Sequence, residues 1–129
     1  MSNAYNDWKK DMEAYTRFFK RDNKIYKGIC YNDDYCTDRM NYEFCDLLLD
    51  DVTYNDDFQM LTVQVGTSLR NPDGTYDENY EKTLYVFHDD WLMSDGKDLF
   101  VVDAQHIKEW TEITEQEFAK INKDKIFKK

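Results

Sequence analysis

Residues 58–88 read FQMLTVQVGTSLRNPDGTYDENYEKTLYVFH. Apolar and polar side chains alternate near its start, over residues 61–65, and again over residues 83–88, which is the pattern of a half-buried strand. Between the two runs, Asn71-Pro72-Asp73-Gly74 offers proline for a type I turn and a glycine that can take positive φ. The stretch therefore predicts an antiparallel hairpin, and we expect the rest of the sheet to extend from it.

A second hairpin is predicted directly after the first. The apolar runs 91–93 and 99–102 flank Ser94-Asp95-Gly96-Lys97, and an Asp-Gly pair is typical of a tight hairpin turn. Residues 24–31 add a short strand or extended piece. We therefore expect an antiparallel meander sheet of three to five strands.

The N-terminal segment has the spacing of an amphipathic helix. Trp8, Met12, Tyr15 and Phe19 fall at i, i+4, i+7 and i+11, which places them on one face. We expect a helix over residues 4–21 whose aromatic stripe packs in the core.

Residues 38–51 fit either a helix or a strand. Strand alternation would put Asp46 and Asp50 on the same face as Phe44 and Leu48, whereas helical spacing turns both carboxylates outward. Leucine also favours helix over strand. The segment is therefore predicted to be helical.

The C-terminus carries a capping box. In Thr114-Glu115-Gln116-Glu117 the threonine hydroxyl can accept from the Glu117 amide, and Ile113 and Phe118 occupy the positions of a hydrophobic staple. A short capped helix is predicted to start near residue 115, with Phe118 buried.

Length and composition indicate one α+β domain over residues 1–129, with residues 1–4 and 124–129 frayed. The chain has 27 acidic and 17 basic side chains, a net charge of −10. This charge disfavours direct binding to nucleic acid or an anionic membrane.

No apolar run reaches membrane-spanning length, no apolar leader is visible, and the cysteine count is odd. We therefore expect a cytoplasmic protein with reduced thiols.

The charge is concentrated in the middle of the chain. Residues 31–112 hold 20 acidic and 5 basic side chains, whereas both ends are mildly basic. Acidic loops that keep the domain soluble explain this distribution. The alternative is a functional negative surface that meets a basic partner.

One sequence form, aromatic-x-Asp-Asp-aromatic, occurs three times, at residues 31–35, 54–58 and 87–91. Its structural interpretation is three element ends where aspartate turns the chain and the rings anchor in the core. Its functional interpretation is an acidic recognition surface that engages lysine and arginine side chains. The candidate partner-binding residues are Asp33, Asp34, Asp56, Asp57, Asp89 and Asp90 for charge, and Tyr31, Tyr35 and Tyr54 for contact area.

Other chemistries have weak signals. The turn at residues 71–74 fails the EF-hand pattern, and the four glycines are isolated, so no phosphate-binding loop is present. The spacing of potential zinc ligands lacks the usual pairs, and no serine lies in a nucleophile motif. We therefore expect no catalytic residue, metal site or cofactor. The side chains that could in principle bind zinc are Cys30, Cys36, Cys45, His88 and His106.

These observations favour a non-enzymatic acidic binding protein over an enzyme. The specific hypothesis is an inhibitor or immunity-type factor of a phage or mobile element that covers a basic surface of a nucleic-acid-processing enzyme. Its partner would be a protein with a basic surface. The alternatives are a small-ligand-binding or catalytic α+β domain, and a self-associating structural or assembly subunit. The sequence leaves the oligomeric state open.

Overall fold

The computed structural model describes residues 4–33, 35–49, 52–56 and 59–122, and these form an α+β fold as expected. In chain order its elements are α1 (Ala4–Glu13), β1 (Arg17–Arg21), β2 (Lys24–Cys30), α2 (Cys36–Glu43), β3 (Thr53–Asn55), β4 (Met60–Arg70), β5 (Tyr76–Phe87), β6 (Trp91–Ser94), β7 (Leu99–Val102), a 3₁₀ turn (Ile107–Glu109), β8 (Thr111–Ile113) and α3 (Glu115–Ile121). The predicted fraying concerns residues outside the described ranges, except for Ala4, which begins α1.

The described strands form two antiparallel sheets. One has the order β7-β6-β2-β1-β8, and the other has the order β3-β4-β5. The strands are antiparallel as predicted, but they divide between two sheets instead of following one meander. The division arises because the β1–β2 hairpin pairs with β6 on one side and β8 on the other, which leaves the long hairpin to build its own sheet.

The long hairpin that the sequence predicted is confirmed as β4 and β5. Its turn closes with the Asn71 amide donating to the Thr75 carbonyl at 2.8 Å, and Gly74 takes a φ of +90°. The pairing shifts register between Val65 and Gly66, where one extra residue enters β5. The second predicted hairpin is confirmed as β6 and β7, with Gly96 at positive φ.

The N-terminal helix is shorter than its apolar spacing indicated. It ends at Glu13, and residues 17–21, which were predicted to be helical, form β1. Phe19 is buried as a strand residue between two partners, and Met12 is buried on α1 as expected, whereas Trp8 and Tyr15 are about half exposed. Backbone pairing with β2 and β8 therefore outweighs the local helical periodicity, as tertiary context commonly does.

The helical prediction for residues 38–51 is correct only in its first half. The helix α2 spans Cys36–Glu43, and the chain then turns. Leu48 forms a bridge with Val65, and the Leu49 amide donates to the Gln64 carbonyl at 3.1 Å. The leucines thus lie beside the part of β4 that extends beyond its pairing with β3, and they bond backbone groups that β3 leaves unpaired. Asp50 lies outside the described residues.

The threonine half of the capping box at α3 is confirmed. The Thr114 hydroxyl accepts from the Glu117 amide at 3.1 Å. Phe118 is buried as predicted, and its ring lies 4.7 Å from that of Phe18 on β1. The cap therefore starts α3 at a position from which the Phe118 ring can pack on the five-stranded sheet.

Two apolar clusters lie on opposite faces of the five-stranded sheet. The larger cluster joins that sheet to the three-stranded sheet and to α2, and it contains Ile29, Tyr31, Cys36, Met40, Phe44, Val52, Leu61, Val63, Val65, Val86, Leu92 and Leu99. The smaller cluster is mostly aromatic and is built on Phe19, Met93 and Val102. Tyr31 belongs to the larger core, and it anchors the region described next.

Candidate partner-binding site around Tyr31

The three aspartate segments meet in space around Tyr31. The Tyr31 amide donates to the Asp90 carbonyl at 2.9 Å, and the Asp89 amide donates to the Tyr31 carbonyl at 2.8 Å. The Tyr31 ring lies 5.7 Å from the His88 ring and 6.5 Å from the Tyr54 ring, both edge-on. The sequence recurrence therefore marks one region of the molecule, although its members are far apart along the chain.

A small cavity opens between the first two segments. Its volume is about 350 Å³, and its lining consists of Tyr31, Asp33, Thr37, Tyr54, Asp56 and Leu61. Leu61 is fully buried and Tyr31 is 6% exposed, whereas Tyr54 is half exposed. We call this cavity the Tyr31 notch. Its buried side is apolar and aromatic, and its other lining residues include two carboxylates.

Asp33 is held in place by Arg39 of α2. One guanidinium nitrogen donates to both Asp33 oxygens, at 2.9 and 2.8 Å. Partial burial opposes ionisation of this carboxyl, but the hydrogen bonds from Arg39 and from the Tyr35 amide outweigh it and lower the pKa of Asp33. Asp33 therefore stays ionised, and it both organises the start of α2 and lines the notch.

The guanidinium of Arg39 also contacts two tyrosines. Its central carbon lies 3.5 Å from the centroid of the Tyr15 ring and 5.9 Å from that of Tyr35. The Arg39 side chain is 4% exposed. The chain therefore already buries one guanidinium between tyrosine rings and a carboxylate beside the notch.

The remaining aspartates differ in how they present charge. Asp56 is exposed, and Asp89 is exposed in a turn where its φ is +72°. Asp90 is partly buried and accepts from the Phe87 amide at 3.1 Å, and burial, with Asp103 and Asp89 nearby, raises its pKa. Asp56 and Asp89 therefore present open charge, whereas Asp90 also holds its turn. Asp34 and Asp57 lie outside the described residues.

The predicted tyrosines have different roles in the structure. Tyr35 and Tyr54 are 64% and 49% exposed and offer contact area, whereas Tyr31 is a core residue that forms the back of the notch. Sequence reasoning missed Arg39, which neutralises part of the charge of Asp33, and Thr37, which lines the notch. Side chains that meet on one face of a helix are three or four residues apart. Asp33 and Arg39 are six residues apart, so the sequence did not predict their contact.

The cysteines near this region are poor nucleophiles. The Cys36 thiol is buried and donates to the Cys30 carbonyl at 3.0 Å. Burial, with Asp89 nearby, raises the pKa of Cys30 to about 11, and burial also raises the pKa of Cys36. Both sulfurs therefore remain protonated at neutral pH, when the thiolate would be the reactive form.

A larger cavity lies elsewhere, between α1, β1, β8 and α3. Its volume is about 640 Å³. Lys27 and Glu43 line it and form an ion pair at 2.8 Å, and their side chains are only 11% and 3% exposed. Phe18 and Phe118 provide apolar wall, and Glu13 and Glu112 add carboxylates. We call it the Lys27 cavity.

Comparisons of the chain with protein-family models, curated proteins and solved structures found no match. In the four described ranges, no helix has the length and apolar character needed to cross a membrane. Within the same residues, no group of three or more histidine, cysteine, aspartate or glutamate side chains is placed to hold a metal ion.

Proposed function

We propose that this chain is a non-enzymatic binding protein that places the surface around Tyr31 against a basic surface of a partner protein. One observation carries the proposal, namely the convergence of the three aspartate segments on Tyr31. A solubilising role alone does not require three distant acidic segments to share one aromatic anchor. Their convergence supports a surface with a recognition role.

The charge of the region favours a cationic partner. Asp56 and Asp89 are exposed and carry this charge, whereas the charge of Asp33 is partly neutralised by Arg39. The exposed rings of Tyr35 and Tyr54 add the large, rigid contact area that interfaces use. A second copy that used the same surface would place carboxylates against carboxylates, so a symmetric dimer through this surface is electrostatically unfavourable.

A nucleic-acid-processing enzyme fits this partner. The surface of such an enzyme that holds the phosphate backbone is rich in lysine and arginine. Carboxylates spaced along an acidic protein can engage those cations in place of phosphates. The chain would then act as an inhibitor or immunity-type factor of a phage or mobile element, in the cytoplasm where its target works.

A binding assay with a defined cationic probe tests this proposal. The probe is a peptide of nine arginines, and the site variant is Asp56→Asn with Asp89→Asn. The matched control is Asp77→Asn with Glu81→Gln, which removes the same charge from exposed positions on β5. We expect the site variant to raise the Kd about tenfold, equal to about 1.4 kcal/mol, and the control to change it less than twofold. Equal effects of the two variants would contradict the proposal.

The Lys27 cavity supports a second candidate function, the binding of a small ligand. Its volume lies within the range of about 300–1,000 Å³ that is usual for ligand pockets. An almost fully buried ion pair at its wall adds little stability, so a binding role would explain it. Amide NMR shifts of Lys27 and Thr16, on addition of free amino acids or small amides, would favour this function. Shifts confined to the Tyr31 notch would contradict it.

A further inference from the structure

We propose that the Tyr31 notch is a subsite for one arginine side chain of the partner. This inference rests on the proposed function and names the chemical group that the partner contributes. The notch is near the lower limit of ligand-pocket volumes, about 300 Å³, so it suits one inserted side chain and not a folded segment.

The lining of the notch has the chemistry that a guanidinium requires. The rings of Tyr31 and Tyr54 meet at 74°, with centroids 6.5 Å apart, so together they form an aromatic corner. A cation is attracted to such ring faces, and this attraction strengthens when water is displaced. Leu61 adds an apolar surface for the aliphatic part of the side chain.

Two carboxylates complete the match. Asp33 and Asp56 both line the notch. Asp56 is exposed and can accept charge-assisted hydrogen bonds from a guanidinium, whereas both oxygens of Asp33 already accept from Arg39, so Asp33 adds only its remaining lone pairs. The Thr37 side chain adds a hydroxyl acceptor at the wall. An anionic group would be repelled by Asp56, and a wholly apolar group would displace water from the Asp56 carboxylate without replacing the lost hydrogen bonds, so both are disfavoured.

The molecule contains an internal example of the same recognition. Arg39 is held by the Asp33 carboxylate and by the rings of Tyr15 and Tyr35, within the same surface region. One carboxylate and two tyrosines thus bury a guanidinium in this chain. The notch is lined by the rings of Tyr31 and Tyr54 and by the carboxylates of Asp33 and Asp56. Tyr54 and Asp56 are the exposed members of this set and are open to a partner.

Arginine fits the notch better than lysine does. Its planar guanidinium stacks on aromatic faces and donates in two directions, whereas an ammonium is a compact and strongly hydrated charge. The notch offers ring faces and two separate carboxylates, which match the planar group. We therefore expect arginine to bind more tightly than lysine.

An NMR titration with a single residue tests the inference. The probe is N-acetyl-arginine amide, and the comparison is N-acetyl-citrulline amide, which has the same shape and no charge. We expect the arginine probe to shift the amide signals of Thr37, Tyr54 and Leu61, and the citrulline probe to shift them at least fivefold less. Equal shifts from the two probes would overturn the subsite.

Variants locate the binding more sharply. Tyr54→Leu removes one wall, and Asp56→Asn removes one carboxylate at an exposed position with little change of shape. The matched control is Tyr85→Leu, because Tyr85 is a similarly exposed strand tyrosine outside the notch. We expect each site variant to weaken binding of the arginine probe at least threefold and the control to leave it unchanged. An unchanged affinity in Asp56→Asn would overturn the subsite, whatever Tyr54→Leu does to folding.

The outcome also separates the subsite from the proposed function. If the nine-arginine peptide distinguishes the Asp56 and Asp89 variant from its control, but the single arginine does not enter the notch, the subsite is wrong and the binding surface stands. If the peptide does not distinguish the two variants, the proposed function fails as well.

Discussion

The buried pair Lys27–Glu43 allows a stability prediction that can be worked from the structure. The two charges are 2.8 Å apart, and their side chains are 11% and 3% exposed. At an effective dielectric constant near 20, Coulomb's law gives an attraction of about 6 kcal/mol. Removing each charge from water costs several kcal/mol, so the net stabilisation by the intact pair is small.

Breaking the pair should nevertheless be costly. Glu43→Ala leaves the mostly buried Lys27 ammonium without this carboxylate, and we expect it to lower the free energy of unfolding by about 3–5 kcal/mol. The double change Lys27→Met with Glu43→Leu fills the same space without charge. It should regain most of the lost stability or exceed the wild type. Urea unfolding followed by tryptophan fluorescence measures both values.

An exposed ion pair provides the control. Lys82 and Asp98 are as close, at 2.7 Å, but their side chains are 33% and 53% exposed. Asp98→Ala should therefore cost less than about 1 kcal/mol. If Glu43→Ala costs no more than Asp98→Ala, or if the double variant is less stable than Glu43→Ala, the assignment of a buried and mutually compensating pair is refuted.

Three further changes test the fold and the site. Gly28→Ala drives its new methyl into the buried Met93 side chain, so we expect a loss of about 1–3 kcal/mol in urea unfolding, and no loss would contradict this packing. Asn23→Ala places a residue without asparagine's tolerance of positive φ at φ +67° in the β1–β2 turn and should lower stability by about 1 kcal/mol, whereas no loss would argue against that turn. Because the folded pKa of Asp33 lies below its ordinary value of 3.8, the stabilisation it provides is complete above that value and declines as pH falls through the folded pKa. Asp33→Asn should therefore reduce the loss of unfolding free energy that the wild type shows as the pH falls below about 4. An unchanged loss would show that Arg39 does not stabilise the ionised form of Asp33.

The sequence correctly predicted the turn and the helix cap that depend only on neighbouring residues. The hairpin turn at Gly74 and the cap at Thr114 need only neighbouring residues, and both formed as expected. The helical spacing that ran on to Phe19 failed because β1 gains backbone pairing with β2 and β8, and β8 lies about 90 residues away. The pair Asp22-Asn23 could have predicted the β1–β2 hairpin from the sequence. Both residues tolerate positive φ, and they separate two segments that can pair as strands.

The candidate site was predictable in its members and not in its geometry. The recurrence around Tyr31, Tyr54 and His88 selected segments that do meet. Their contacts with Arg39 and Thr37 depend on how α2 sits over the sheet, which no spacing encodes. Charge counts also treat every aspartate alike, although Arg39 compensates Asp33 and burial favours the protonated form of Asp90.

The salt dependence of binding tests the central claim most directly. Isothermal titration with the nine-arginine peptide, repeated from low to high sodium chloride, compares the wild type with the Asp56 and Asp89 variant and its β5 control. We expect affinity to fall steeply with salt in the wild type and the control, and less steeply in the site variant, because exposed charges are screened. Salt-independent binding, or one common slope for all three proteins, would contradict the claim that the surface around Tyr31 recognises a cationic partner.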